Sequence, residues 1–177
     1  MNITALLLCA AISSASANEV SSSLPQSRLD VVCKYASVVI EASEEHNVSP
    51  YLLAALIFYE SSWHTKAKSH AGACGLTQVI PKYSKYSCKQ LLVPRISIKE
   101  GAAKLRGWID FTVRKHKHED VAKALACYNA GYTCLGSTRA RQYSRKVSAL
   151  AVIYKRYAYY AWCQENPDDP EDHDCEC

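Results

Sequence analysis

The sequence predicts a mainly α-helical fold in one domain, and three observations carry that prediction. Apolar residues recur three and four positions apart through most of the chain, the spacing of helices with one buried face. Of 177 residues 49% are hydrophobic and only six are glycine, which is enough to bury a sizeable core. No internal repeat and no apolar stretch of transmembrane length breaks the pattern.

Taken in order, Ile3 to Ile12 is a short apolar run, and Ala15-Ser16-Ala17 sets small residues at signal-peptidase spacing before Asn18. Residues 1–17 are therefore expected to be a cleaved leader, although no Lys or Arg precedes the run; a structural N-terminal strand is the alternative. The body is expected to span residues 18–164. Leu29, Val32, Cys33, Ala36, Val39 and Ile40 lie at helical spacing up to a break near Asn47. Ser49 before Pro50 is a helix start, the hydroxyl capping and the proline fitting the first turn. That helix runs to about Ser61 with Leu53, Leu56, Ile57 and Glu60 on one face, and a polar loop with glycines follows. Ile98, Ala102, Leu105, Ile109 and Val113 predict a further helix. Val121, Ala124, Leu125 and Tyr128 predict a shorter one with Gly131 as its C-cap. Tyr143, Val147, Leu150, Ala151, Tyr154 and Ala158 describe the last helix. Glu165 to Cys177 has no apolar anchor besides two cysteines and reads as a solvated acidic tail.

Glu60 continues the buried stripe of its helix. A carboxyl in that position loses hydration, which favours its neutral form and lets it act as an acid near neutral pH. The plain alternative is a glutamate whose side chain turns into water. The loop behind it counts against that reading: Gly72 and Gly75 permit close backbone approach, Ser69 and Gln78 offer hydrogen bonds, and Trp63 offers an apolar wall. Between Glu60 and Glu100 there is no other Asp or Glu, so the loop supplies no second carboxylate of the kind a two-carboxylate glycosidase uses. One could still arrive through the fold from Glu100, Asp110, Glu119 or Asp120.

The run Glu60-Ser61, Trp63, Ala67, Ser69, Gly72-Ala73, Gly75-Leu76, Gln78-Val79, Pro81 resembles the signature of the goose-type-lysozyme-like lytic transglycosylases, the soluble lytic transglycosylase-like or SLT family. Ala126-Cys127-Tyr128-Asn129-Ala130-Gly131 is similar to the family's Ala-Tyr-Asn-Ala-Gly element, Tyr143 to the aromatic opening its last helix, and Pro94 to Leu105 to its connector and helix start. The resemblance spans about residues 30 to 157. His64 stands where Asn or Asp is common, Thr77 where Met is frequent, and Cys74 and Cys127 where small residues are usual.

The resemblance implies an α+β lysozyme-like fold: a helical domain with a small loop/β region after the catalytic helix and a central substrate cleft. It implies cleavage of the β-1,4 bond between N-acetylmuramic acid and N-acetylglucosamine, with Glu60 as acid and then base and a 1,6-anhydro sugar as product. Ser69 would orient Glu60, Gln78 and the backbone near Ala73 would hold substrate, and Tyr128, Asn129, Tyr143 and Trp63 would line the cleft. No cofactor and no metal is expected. Two alternatives stay open: a lysozyme-type hydrolase on the same fold, and a non-catalytic wall-binding assembly module.

Nine cysteines are present, and loss of Cys9 with the leader leaves Cys33, Cys74, Cys88, Cys127, Cys134, Cys163, Cys175 and Cys177 as disulfide candidates for an oxidising compartment. Short loops around the motifs suggest Cys127 with Cys134 and Cys74 with Cys88. Cys175 and Cys177 beside His173 fit a zinc site poorly, and His116 and His118 sit in a charged turn.

All 21 Lys and Arg precede residue 165, whereas the tail carries acids and no base. Such a basic body suits an anionic polymer, here peptidoglycan glycan strands; nucleic-acid binding and stable membrane insertion are not expected, and a monomer exported to the periplasm or medium is. Twelve tyrosines against two phenylalanines favour walls that stack on sugars.

Overall fold

Residues 3–18 and 23–166 are described by a computed structural model, and seven α-helices carry the fold of these residues. They are α1 (Ile3–Asn18), α2 (Gln26–Glu45), α3 (Pro50–Ser61), α4 (Cys88–Leu91), α5 (Pro94–His116), α6 (Val121–Ala130) and α7 (Thr138–Glu165). The expected caps are built: the Ser49 hydroxyl accepts from the Leu52 N–H at 3.4 Å with Pro50 in the first turn, and Gly131 closes α6 at φ 61°. Asp120 and Ser137 cap α6 and α7 through the Lys123 and Ala140 N–H groups.

α3 is apolar around its circumference, with Leu52 to Ile57 all buried, so it must run through the interior. It packs on α7, whose 28 residues also support α1 and α6, while α2 and α5 close the other side. One continuous core joins these helices through Leu53, Leu56, Ile57, Leu105, Leu125 and Tyr154.

Three expectations need correction or restatement. The small β region expected after α3 does not form: among the described residues there is no strand, and residues 62–81 make only isolated bridges, Lys68 with Cys74 and Cys74 with Val79. Left-handed backbone at Gly72, Gly75 and Gln78 interrupts any extended run, so a ladder cannot propagate. The fold is helical with an irregular loop.

Residues 3–18, which hold most of the segment 1–17 expected as a cleaved leader, form a helix packed on α2 and α7, with Ala5, Leu8, Ala11, Ile12 and Ala15 buried. Cys33, counted as pairing after loss of Cys9, is bonded to Cys9. Four-residue spacing of Leu8, Ile12 and the small alanines gives this segment a continuous face to lay on its neighbours. The tail beyond residue 166, with His173, Cys175 and Cys177, lies outside the described residues; Glu165 itself ends α7. No helix among the described residues is long and apolar enough to cross a membrane.

Candidate active site

Glu60 is placed by α3, whose apolar body is locked in the core while its last turn emerges half-buried. Ser62 (φ 47°) and Trp63 (φ 60°) then adopt left-handed backbone in succession, which reverses the chain directly after the carboxylate. Two non-glycine residues in that region store backbone strain, and the surroundings must hold them there. The Ser61 hydroxyl does part of this by donating to the Leu76 carbonyl at 2.8 Å.

The loop that faces Glu60 is knitted by its own polar groups. The Gln78 carboxamide donates to the carbonyls of Gly75 (2.8 Å) and Ala67 (3.2 Å), and the Ser69 hydroxyl accepts from the Ala73 N–H at 3.1 Å. Cys74 is bonded to Cys88. Thr77 is fully buried against α5: its hydroxyl donates to the Ser97 carbonyl at 2.7 Å, and its N–H donates to the Ser97 hydroxyl at 3.2 Å. Close approach here depends on two glycines. A Cβ on Gly75 would stand 2.0 Å from the Leu91 carbonyl oxygen, and one on Gly101 would stand 2.4 Å from the Thr77 methyl.

Two tyrosines bring α6 and α7 to this loop. Tyr128 donates its hydroxyl to the Thr77 carbonyl at 2.8 Å. Tyr143 donates to Glu60 Oε1 at 2.5 Å, across 83 residues of sequence, and meets Tyr59 edge to face. Burial pushes the Glu60 carboxyl up to about 7, against the opposing pull of the Tyr143 hydrogen bond. Burial, and then the Glu60 charge, hold the Tyr128 and Tyr143 hydroxyls well above the ordinary tyrosine range, so both remain donors at neutral pH.

The other acids the sequence left open are engaged elsewhere. Glu100 is buried and binds the Ser84 hydroxyl at 2.8 Å and Lys104 at 3.2 Å. Asp110 and Glu119 pair with Arg106, and Asp120 caps α6 and pairs with Lys123. Tyr143 is the hydrogen-bond partner of Glu60 among the described residues.

Thus Glu60, Tyr128 and Tyr143 come together, and Asn129, the next residue on α6, is exposed. Others of the expected site residues sit differently. Trp63, expected as a cleft wall, is fully buried in the core, because the left-handed turn folds its indole inward under α3. Ser69, expected to orient Glu60, is exposed and holds the loop tip through Ala73 instead. Gln78 and Ala73 likewise spend their N–H donors inside the loop. Sequence reasoning missed the Thr77 junction. Its signal was Ser97 and Gly101, small residues one turn apart on α5.

The chain belongs to the transglycosylase SLT domain family, whose model matches residues 37–151. It is similar to the membrane-bound lytic murein transglycosylase F of Photobacterium profundum, at 37% identity over 83 residues, covering 46% of this chain and 16% of that protein. It is also similar to the transglycosylase of Enterobacteria phage PRD1, at 34% identity over 91 residues, 51% of this chain and 32% of the phage protein. The chain therefore spans less than a third of the length of these curated relatives. Its fold matches that of an inactive mutant of the lytic transglycosylase Slt from Pseudomonas aeruginosa, with TM-score 0.60, 22% identity and coverage of 82% of this chain and 27% of that one.

Proposed function

We propose that the protein is a peptidoglycan-cleaving lytic transglycosylase in which Glu60 alone moves the proton. The observation that carries this reading is the half-buried Glu60 carboxyl, raised to about 7 and bound by one tyrosine hydroxyl, while neighbouring acids are tied up in their own pairs. At neutral pH a large fraction of such a group is protonated and ready to donate.

With Oε1 held by Tyr143, Oε2 carries the proton to the glycosidic oxygen between N-acetylmuramic acid and N-acetylglucosamine. The C1–oxygen bond breaks, leaving positive charge spread over C1 and the ring oxygen. The Glu60 carboxylate then takes the proton of the muramic-acid C6 hydroxyl, whose oxygen closes on C1. The product is a 1,6-anhydro sugar and no water is consumed. Tyr143 donates throughout, steadying the carboxylate between the two proton transfers. Tyr128 and Asn129 line the cleft.

Family membership and the names of the relatives support the same substrate. The protein acts outside the cytoplasm, as the Cys74–Cys88 and Cys127–Cys134 bonds suit an oxidising compartment. Residues 1–17 serve as an export signal, and cleavage after Ala17 would remove α1 and part Cys33 from Cys9. Mass analysis of digested sacculi tests the reaction: anhydro-muropeptides are expected, whereas reducing-end muropeptides would make the protein a hydrolase and no release would make it a binding module.

A further inference from the structure

One exposed feature has no part in the chemistry above. Tyr132, in the 3-10 helix Gly131–Gly136 between α6 and α7, is 81% exposed, the barest of the large hydrophobic residues in the described part of the chain. Its ring is not loose. It meets Trp108 edge on at 5.1 Å and Phe111 at 5.8 Å, and those two meet each other at 5.6 Å, all three as near-perpendicular contacts. Trp108 and Phe111 are half-buried on α5 and pack on a small separate core of Ala126, Cys127, Cys134 and Ala140. The Cys127–Cys134 bond brackets the turn, and Gly131 at φ +61° lifts the chain out of α6 immediately before the tyrosine. The fold thus spends a disulfide, a left-handed glycine and two aromatic side chains on holding one tyrosine ring in water.

A ring fixed in advance loses little conformational freedom when a ligand covers it, and a face with an apolar body and polar tip suits the C–H face of a sugar. Position in the chain and charge select among sugars. Tyr132 follows Asn129 by three residues, on the turn that carries the chain out of α6, which puts it at the end of the helix bearing the proposed cleft residues Tyr128 and Asn129. The Lys115 ammonium stands 5.7 Å from the centre of the Phe111 ring, next to Arg114, and suits the carboxylates that muramic-acid substituents carry.

We infer that the Tyr132–Trp108–Phe111 cluster is a saccharide-stacking platform that grips a ring of the glycan strand remote from the bond Glu60 cleaves. This rests on the proposed substrate but not on turnover, and the test separates the two. In the Glu60→Gln background, binding of long purified glycan strands and of a short muropeptide holding one cleavable linkage is measured by calorimetry. Tyr132→Ala is expected to weaken long-strand binding by about threefold to tenfold, with the short fragment unaffected, and Tyr132→Trp to restore it. Tyr160→Ala on α7 is the control for loss of an exposed aromatic. Unchanged long-strand affinity in Tyr132→Ala, or equal losses for long and short ligands, overturns the platform. If the unmodified protein binds long strands yet releases no muropeptide, the catalytic reading fails while this comparison still stands.

Discussion

Two short segments flank the tyrosines beside Glu60; each carries a disulfide, but what else holds them differs. Residues 62–81 are knitted by polar groups, buried for Thr77 on Ser97 and part-buried for Gln78 on Gly75 and Ala67 and Ser61 on Leu76, with three non-glycine residues in left-handed backbone. Residues 131–136 carry one left-handed glycine, one short disulfide and an edge-on aromatic contact with α5. The first arrangement fixes positions closely, because each hydrogen bond has a narrow geometry and each unmade one is costly. The second offers broad apolar area with less directional restraint. The proton transfer we propose at Glu60 calls for the former, and the proposed grip on a polymer for the latter.

The comparison breaks most sharply at Glu60. Glu60→Gln removes the transferable proton and should lower turnover by about 10²–10⁴-fold, while folding survives; muropeptide release measures it, and retained turnover would dismiss the residue. Gly75→Ala and Gly131→Ala sharpen the contrast between the segments. At Gly75 the added methyl meets the Leu91 carbonyl as well as φ +80°, whereas nothing lies within 4 Å of it at Gly131. The expected stability losses in urea are about 3–4 kcal/mol and about 1–2 kcal/mol respectively, and equal losses would deny that the loop beside Glu60 is the tighter one.

The raised Glu60 pKa makes a prediction about stability with a definite sign. From the ordinary 4.5 to about 7, the folded state keeps a proton that the unfolded state has released, so this residue's contribution falls as pH rises through that window. Glu60→Gln should therefore match the parent near pH 4 and be more stable by about 3 kcal/mol above pH 7, as thermal melts across that range would reveal. The smallest effect belongs to Tyr143→Phe. It deletes a hydrogen bond that favours the carboxylate, so the alkaline limb of kcat/KM, expected near pH 7, should move upward, with kcat down by about tenfold. A limb that stays in place would show that Tyr143 does not touch the working form of Glu60.

Much of this was legible in the chain. The start of α3 at Ser49-Pro50, its end near Ser61 and the stop of α6 at Gly131 follow from local rules of capping and φ. Glu60 on an apolar stripe is a statement about helical periodicity. Separations of 14 and 7 residues suggest Cys74–Cys88 and Cys127–Cys134, but cysteine positions alone do not fix connectivity, and it is the fold that joins them. Trp63 lies in the core and not on a cleft wall because an indole just past a helix end can face either way, and the left-handed pair Ser62-Trp63 sends it inward. The β region failed for a related reason: glycines and polar side chains bonded to nearby backbone compete with a ladder. Ser97 and Gly101 looked like ordinary small residues until Thr77 was seen to fill the space they leave.

What the sequence determined alone is what lies within one helical turn: the helices α2, α3, α5, α6 and α7, the caps at Ser49-Pro50 and Gly131, and the apolar setting of Glu60. Tertiary structure decided whatever joins distant stretches: Tyr143 on Glu60, Tyr128 on the Thr77 carbonyl, Thr77 under α5, and Tyr132 propped on Trp108 and Phe111. Local backbone preference acts through neighbouring residues and can be read from them. Contacts between remote side chains depend on how the helices pack, and no local pattern encodes that.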